Sequence, residues 1–260
     1  MISFAQGYSQ MPKRTELVTL NGTNIYYEIY GKGQPLFLLH GFTATSKSWL
    51  SFIDDYAKDF EVYLVDLKGH GKSSPFTEKL SIKTAAKDID ALIKHLKLDS
   101  IKAIGFSYGG DILFQLALLR SGLIKSMICI GATGTWHIND LPEWLDYLSF
   151  KNIDNLPWMR EQQENEEQIK SILNQVPNYD VSVSDEELKS IQTKTLLVFG
   201  DHDDSIPLDE IARAKKLLPN SWLWIVPNTG HIAHKDKNKD AFVTISKEFL
   251  SDKWTKKNGR

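Results

Sequence analysis

The chain has 260 residues, of which 42% are hydrophobic and 25% charged, and its formal net charge is -2. This balance is typical of a globular protein with a sizeable core, and it lacks the strongly basic character expected of a nucleic-acid-binding protein. No apolar run approaches the roughly 20 residues that cross a bilayer, so the sequence predicts no transmembrane segment.

The first predicted elements form a hairpin. The alternating runs ELVTL and NIYYEIY are joined through Asn21-Gly22, a dipeptide that suits the positive φ angles of a tight turn. The preceding MISFAQGYSQ lacks the positive and apolar regions of a signal peptide, so a cytoplasmic location is expected. Export is the alternative if a signal peptide has been trimmed from this end.

After the hairpin the pattern changes to short apolar runs, typical of strands that are buried on both faces. These runs are PLFLLH (35–40), EVYLVD (61–66), IKAIGF (101–106), IKSMICIG (124–131), KTLLVFG (194–200) and WLWIVP (222–227). Helical patterns lie between or after most of them, at 82–97, 111–120, 211–218 and 241–250. The alternation predicts an α/β fold with a mainly parallel central sheet and helices on both faces.

Residues 132–193 interrupt this alternation and are too many for a plain loop. We expect them to form a small helical cap over the sheet, inserted into a core made of residues 1–131 and 194–260. Its acidic run REQQENEEQIK is best explained as a solvated helix face. Trp136 and Trp144 are candidate walls of an apolar substrate pocket, with packing inside the cap as the alternative.

A serine stands at the predicted corner between a strand and a helix. Gly105-Phe106-Ser107-Tyr108-Gly109 fits the pattern Gly-x-Ser-x-Gly, in which a sharp turn strains the serine and leaves room only for small residues two positions away on either side. The turn lifts the hydroxyl out of the sheet. Ser107 is therefore the candidate nucleophile.

A nucleophilic serine needs a histidine base that is oriented by a carboxylate. His231 follows the last predicted strand in a turn-rich loop, and His234 is a near rival. The run FGDHDDSIP offers Asp201, Asp203 and Asp204 after the preceding strand. Position alone favours His231 and leaves the three aspartates as alternatives.

Two backbone N–H groups could stabilise an oxyanion near Ser107. One belongs to Tyr108, at the start of the helix that follows the serine. The other belongs to Phe42, in the segment LLHGFTATSKSW (38–49), where His40-Gly41 ends a strand. Both are candidate members of an oxyanion hole.

These motifs together resemble the α/β-hydrolase superfamily, in particular its small capped esterase-like members. Five segments match the family in order along residues 16–252, namely 40–42, 66–73, 105–109, 200–207 and 230–231. The resemblance implies that Ser107 is the nucleophile, Asp203 the acid and His231 the base, with Phe42 and Tyr108 as the oxyanion hole. His40 and His70 would be structural residues beneath the site.

The resemblance implies a serine hydrolase that cleaves a small-molecule carboxylic ester through an acyl-enzyme, without a cofactor. Lactonase, perhydrolase and carbon–carbon bond hydrolase activities use the same triad and are alternatives. A small-molecule receptor of the same fold, with little or slow turnover, is an alternative of a different class. The serine disfavours haloalkane dehalogenase and epoxide hydrolase chemistry, which depends on an aspartate nucleophile.

Three other features have simpler explanations. Gly69-His-Gly-Lys-Ser resembles the end of a phosphate-binding loop, but Asp66 stands where that loop needs glycine. The run 201–204 contains possible metal ligands without a second cluster, so no metal is expected. Cys129, the single cysteine, lies in the apolar run MICI and is expected to be a buried core residue.

Overall fold

The computed structural model describes residues 11–135, 142–181 and 183–255. Within these ranges eight strands form one sheet, with bounds β1 (Arg14–Leu20), β2 (Thr23–Gly31), β3 (Gln34–Leu39), β4 (Phe60–Val65), β5 (Ile101–Phe106), β6 (Ile124–Ile130), β7 (Lys194–Gly200) and β8 (Ser221–Val226). The order across the sheet is β1-β2-β4-β3-β5-β6-β7-β8. β1 and β2 are antiparallel to their neighbours, and all other pairs are parallel. The predicted mainly parallel α/β sheet is confirmed.

Helices cover both faces of this sheet. They are α1 (Ile53–Tyr56), α2 (Ile82–His95), α3 (Tyr108–Leu119), α4 (Pro142–Tyr147), α5 (Pro157–Gln162), α6 (Glu166–Leu173), α7 (Asp185–Ser190), α8 (Leu208–Leu217) and α9 (Lys239–Leu250). Side chains of α2, α3 and α8 join the apolar cluster on one face, and those of α1 and α9 join the cluster on the other. Among the described helices, none combines the length and apolar content needed to cross a membrane.

The two ends of the sheet differ in how well the sequence predicted them. The hairpin between β1 and β2 turns at Asn21 and Gly22, whose φ angles are 50° and 82°, as expected. The expectation that every later strand is buried on both faces is wrong for β8, where Leu223 is 37% exposed. Because β8 ends the sheet and pairs only with β7, solvent reaches part of it.

The parallel strands bring the loops of interest to one edge. Neighbouring strands are in register near their carboxyl ends, with Leu39 beside Gly105, Phe106 beside Ile130, and Gly200 beside Val226. In open α/β sheets, ligand sites form in the crevice outside these carboxyl ends. The segments after β3, β5, β7 and β8, which carry all five candidate residues of the triad and oxyanion hole, therefore follow strand ends on one side of the molecule.

The segment between β6 and β7 contains α4 to α7. Buried apolar side chains from this segment, including Leu156 and Ile169, belong to the same cluster as those of α2 and α3. The described part of the segment is therefore packed onto the core through a shared apolar interior. The domain boundaries given above stay a prediction.

Candidate active site

The corner between β5 and α3 has a strained backbone at Ser107. This residue has φ 50° and ψ -115°, outside the regions that L-residues ordinarily occupy, and such a conformation costs about 1–3 kcal/mol. Its N–H donates a hydrogen bond of 2.7 Å to the carbonyl of Ile130, which ties the corner to the end of β6. Ser107 is only partly buried. The fold thus presents a hydroxyl at the edge of the sheet.

Two glycines make this corner sterically feasible. A Cβ added to Gly105 would lie 2.5 Å from the backbone nitrogen of Gly110, and one added to Gly109 would lie 2.5 Å from the carbonyl oxygen of Leu39. Both distances are far below van der Waals contact, and the opposing atoms are backbone atoms that cannot rotate away. The close approach of β3, β5 and α3 explains why glycine stands on each side of Ser107.

A histidine and a carboxylate meet at the neighbouring strand ends. His231 Nδ1 lies 2.9 Å from Asp203 Oδ2, and the Asp203 side chain is fully buried while that of His231 is 19% exposed. Burial alone would raise the pKa of Asp203, but hydrogen bonds from His231 and Ser205, together with the charge of His231, lower it below its usual value. The pair is therefore arranged to hold a carboxylate against an imidazole N–H.

The rival residues have other partners. Asp201 Oδ1 accepts a hydrogen bond of 3.0 Å from the backbone N–H of Thr229, and Asp204 is exposed. His234 is 1% exposed and lies against the rings of Trp49 and Phe106, and burial lowers its pKa well below the usual range. Of the alternatives that the sequence left open, His231 and Asp203 are the two that the structure brings together.

The His231 ring lies near the strand ends next to Ser107. The His231 ring is 5.1 Å from the ring of Phe106, the residue before the serine. It also covers the end of β6, because a Cβ added to Gly131 would be 2.6 Å from His231 Cε1. Among the described residues no hydrogen bond joins the Ser107 hydroxyl to His231, whose Nδ1 is within hydrogen-bond distance of Asp203 and Ser205.

The two residues that carry the candidate oxyanion donors pack against each other. The rings of Phe42 and Tyr108 meet edge to face with 5.4 Å between centroids. Tyr108 is the first residue of α3, so its N–H has no partner within the helix. In the described part of the chain, the backbone N–H groups of Phe42 and Tyr108 form no hydrogen bond with another backbone group. Both donors are therefore available to a ligand oxygen.

Two buried histidines support the loop that carries Phe42. His40 donates from Nδ1 to the Gly41 carbonyl (2.8 Å) and accepts at Nε2 from the Leu67 N–H (3.0 Å). Burial lowers the pKa of His40 to about 4, so the ring is neutral and this tautomer is fixed. The His70 ring is hydrogen bonded to the Phe42 carbonyl through Nε2. Both contacts agree with the structural roles expected for these residues.

The segment between β6 and β7 contributes side chains on the same side. The ring of Trp144 is partly buried, with its centroid 6.2 Å from that of His231. Trp158 Nε1 donates to Thr43 Oγ1 at 3.0 Å, and Gln163 donates to the carbonyls of Thr43 and Ala44 at 3.2 Å. The loop that follows Phe42 is therefore fixed from this segment as well. Trp136 lies outside the described residues.

No metal site is formed by the residues that the structure describes. They include no group of three or more histidine, cysteine, aspartate or glutamate side chains placed to hold an ion. Cys129 is fully buried, and burial raises the pKa of its thiol well above the usual value. A thiol in this state is a packing group, because the thiolate is the reactive form.

A buried carboxyl group lies one helical turn after Ser107. Asp111 is fully buried and accepts a hydrogen bond of 2.8 Å from the Tyr179 hydroxyl, which comes from the segment between α6 and α7. The Tyr179 ring also contacts Phe42 and Tyr108, at 5.4 and 5.8 Å between centroids. Burial raises the pKa of Asp111 to about 7, although hydrogen bonding from Tyr179 and Gly134 and the charge of His231 oppose this rise.

This carboxyl group predicts a pH-dependent stability. Because the folded chain holds the Asp111 proton more tightly than the unfolded chain, the stabilisation is complete below about pH 4 and is lost as the pH rises through about 7. We expect Asp111→Asn, which keeps an acceptor for Tyr179, to be more stable than the unmodified protein at pH 8 by about 1–3 kcal/mol, with the difference shrinking toward pH 4. Denaturant unfolding at several pH values measures this difference in the free energy of unfolding.

The matched control for that experiment is Asp99→Asn, which removes an exposed carboxylate elsewhere in the chain. The pH dependence of the Asp111→Asn difference should exceed that of the Asp99→Asn difference. Equal pH dependence in the two variants would show that the pKa of Asp111 is not raised in the folded protein.

Sequence reasoning missed three polar groups near the site, Ser205, Asp111 and Tyr179. The one signal for Asp111 was an acid inside the otherwise apolar helix YGGDILFQLALL. Ser205 belongs to the aspartate-rich run FGDHDDSIP, but a sequence pattern does not indicate which side chains its hydroxyl contacts. Tyr179 is 68 residues away from its partner, so no local signal exists.

Comparison with known proteins gives consistent results. The family model described as alpha/beta hydrolase fold matches residues 34–170. A non-heme chloroperoxidase from Kitasatospora aureofaciens is 24% identical over 271 residues, covering 90% of this chain and 98% of the relative. A 2-hydroxy-6-oxo-6-(2'-aminophenyl)hexa-2,4-dienoic acid hydrolase from Metapseudomonas resinovorans is also 24% identical, covering 90% of each chain.

Solved structures share the fold over nearly the whole chain. A carboxylesterase from Bacillus subtilis superposes with a TM-score of 0.75 at 21% identity, covering 94% of this chain and 93% of the other. An esterase from Thermogutta terrifontis gives a TM-score of 0.77 at 19% identity, covering 93% and 100%. At these identities the likeness concerns the fold.

Proposed function

Since the chain belongs to the alpha/beta hydrolase fold family, we propose that it is a serine hydrolase that cleaves carboxylic esters through an acyl-enzyme. One observation carries this proposal. The carboxylate of Asp203 is 2.9 Å from His231 Nδ1, beside the strained corner that presents the Ser107 hydroxyl. An acid, a base and a serine nucleophile in this arrangement are the components of acyl transfer.

In the proposed first half-reaction, Ser107 Oγ attacks the ester carbonyl carbon while His231 Nε2 accepts the hydroxyl proton. Asp203 keeps the other ring nitrogen protonated and stabilises the imidazolium. The developing oxyanion is bound by the N–H groups of Phe42 and Tyr108, which form no backbone hydrogen bonds in the described part of the chain. The imidazolium then gives its proton to the leaving alcohol, and the acyl group stays on Ser107.

In the second half-reaction, water takes the place of the alcohol. His231 removes a proton from the water as its oxygen attacks the acyl carbon, and the same two N–H groups bind the oxyanion. Collapse of this intermediate releases the carboxylic acid and returns the proton to Ser107. Every proton is transferred between His231 and a reacting oxygen. Ser107, His231 and Asp203, with the two backbone N–H groups, therefore complete the proposed catalytic cycle.

The helical segment at 132–193 is proposed to act as the cap that shapes the substrate pocket. Trp144 supports this role because its partly buried ring lies 6.2 Å from His231, close enough for an acyl or alcohol group to contact both. A second support is that Trp158 and Gln163 contact the loop that carries Phe42. This proposal assigns substrate size selection to the cap and bond cleavage to the core.

A second candidate is hydrolysis of a carbon–carbon bond. The specific observation is the likeness to the Metapseudomonas resinovorans hydrolase, which covers 90% of both chains. That relative is named for a hexadienoic acid substrate with a 6-oxo group. Ser107, His231 and Asp203 could cleave either an ester bond or a carbon–carbon bond. A comparison of substrates therefore distinguishes the two candidate functions.

The proposed function predicts steady turnover of simple esters. We expect the purified protein to hydrolyse p-nitrophenyl esters over many turnovers per molecule, with a dependence on acyl chain length set by the cap. A series from acetate to decanoate, measured alongside a 2-hydroxy-6-oxohexa-2,4-dienoate, tests this directly. Preference for the dienoate would favour the second candidate. A single slow turnover that leaves a stable adduct would instead favour a receptor.

A further inference from the structure

Ser205 contacts both members of the acid–base pair. Its hydroxyl oxygen lies 2.5 Å from Asp203 Oδ1 and 2.9 Å from His231 Nδ1, and its backbone N–H donates to Asp203 Oδ1 at 3.1 Å. Ser205 is 4% exposed. A buried serine side chain within hydrogen-bond distance of two ionisable groups forms a specific polar site.

The direction of each hydrogen bond follows from the number of protons. Ionised Asp203 can only accept, so the single hydroxyl proton of Ser205 points to Asp203 Oδ1. The Ser205 oxygen then has a lone pair available for the His231 Nδ1–H, which it shares with Asp203 Oδ2. The carboxylate therefore receives three donors, and the imidazole proton is placed between two acceptors.

We propose that Ser205 is a positioning residue for the acid–base pair, an inference that rests on the proposed serine hydrolase function. Two donors on Oδ1 fix the plane of the carboxylate and direct Oδ2 at the histidine. Two acceptors at Nδ1 favour the tautomer in which Nε2 carries a lone pair facing Ser107.

Ser205→Ala isolates this role, because it removes the hydroxyl and keeps the backbone N–H bonded to Asp203. We expect kcat for ester hydrolysis to fall about tenfold with KM within about twofold. Ser205→Thr, which keeps a hydroxyl at this position, should restore much of kcat.

The matched control is Ser221→Ala, which removes another buried serine hydroxyl, one whose hydrogen-bond partners among the described residues are the carbonyls of Lys215 and Leu218. It should leave kcat within about twofold of that of the unmodified protein. An equal loss of kcat in Ser205→Ala and Ser221→Ala, or no rescue by Ser205→Thr, would show that Ser205 only supports the turn and would overturn the proposal.

A second readout separates this proposal from the proposed function. The low-field proton NMR resonance of His231 Nδ1–H reports the hydrogen bond directly and needs no substrate. We expect it to shift in Ser205→Ala and to stay in place in Ser221→Ala. An unmoved resonance overturns the role of Ser205 even if the protein is an active esterase. A moved resonance in a protein that cleaves no ester supports the contact and overturns the proposed hydrolase function.

Discussion

Replacing Ser107 with alanine is expected to lower kcat for ester hydrolysis by about ten-thousand-fold or more, since Oγ is the atom proposed to attack the carbonyl. The fold should survive. Alanine is no more strained than serine at φ 50°, and the hydrogen bond from residue 107 to the Ile130 carbonyl comes from the backbone. Thermal unfolding should therefore shift by no more than a few degrees.

Two measurements check this prediction. A serine-directed phosphonate should add one adduct to the unmodified protein, located at Ser107 by peptide mass spectrometry, and none to Ser107→Ala. Ser126→Ala is the control, because Ser126 is a fully buried serine in β6 whose hydroxyl has no hydrogen-bond partner among the described residues. Undiminished turnover in Ser107→Ala, or labelling of another residue, would contradict the central claim.

The sheet and the corner at Ser107 could be predicted from the sequence because their causes are local. Each strand from β3 to β7 appears as a short, mainly apolar run, since helices cover both faces of the sheet there. The corner appears because glycines must stand two residues before and after Ser107, where backbone atoms come within 2.5 Å of the position that a Cβ would occupy. Such local steric restrictions appear in the sequence as glycines at a fixed distance from the serine.

The polar partners of the site could not be predicted in the same way, because they depend on contacts between distant segments. Tyr179 reaches Asp111 across 68 residues, and Gln163 reaches Thr43 across 120. The exposure of β8 depends on its place at the end of the sheet, which a strand pattern does not encode. Such features follow from topology and packing, and only the three-dimensional structure contains them.

The identity of the acid could be predicted only in part from the sequence. The sequence offered three aspartates within four residues, and only the loop geometry turns one of them toward the histidine. Asp203 is fully buried against His231, whereas Asp201 binds the Thr229 N–H and Asp204 is exposed. The three side chains thus have different surroundings. Replacing each aspartate with asparagine, which has the same shape, should therefore have different effects at the three positions.

Asp203→Asn is expected to lower kcat by about a thousand-fold or more, as in triads where the amide selects the wrong tautomer. Here the cause can be traced to Ser205. Its N–H and O–H both donate to the Oδ1 position, so the amide oxygen is held there and the NH2 group faces His231 Nδ1. An N–H donor at that position requires an unprotonated Nδ1, which moves the ring proton to Nε2. The ring can then no longer accept the proton of Ser107.

Asp201→Asn and Asp204→Asn should each lower kcat by less than about tenfold. Asparagine at 201 still offers an oxygen to the Thr229 N–H, so the turn leading to His231 is preserved, and residue 204 is exposed. The kcat of all three variants on one p-nitrophenyl ester checks the assignment. A thousand-fold loss at 201 or 204, with Asp203→Asn near normal, would mean that the carboxylate serving His231 in turnover differs from the one bonded to it here. Because all three variants carry the same charge change, net charge cannot explain a large difference between them, and the contact with His231 is the property that distinguishes Asp203.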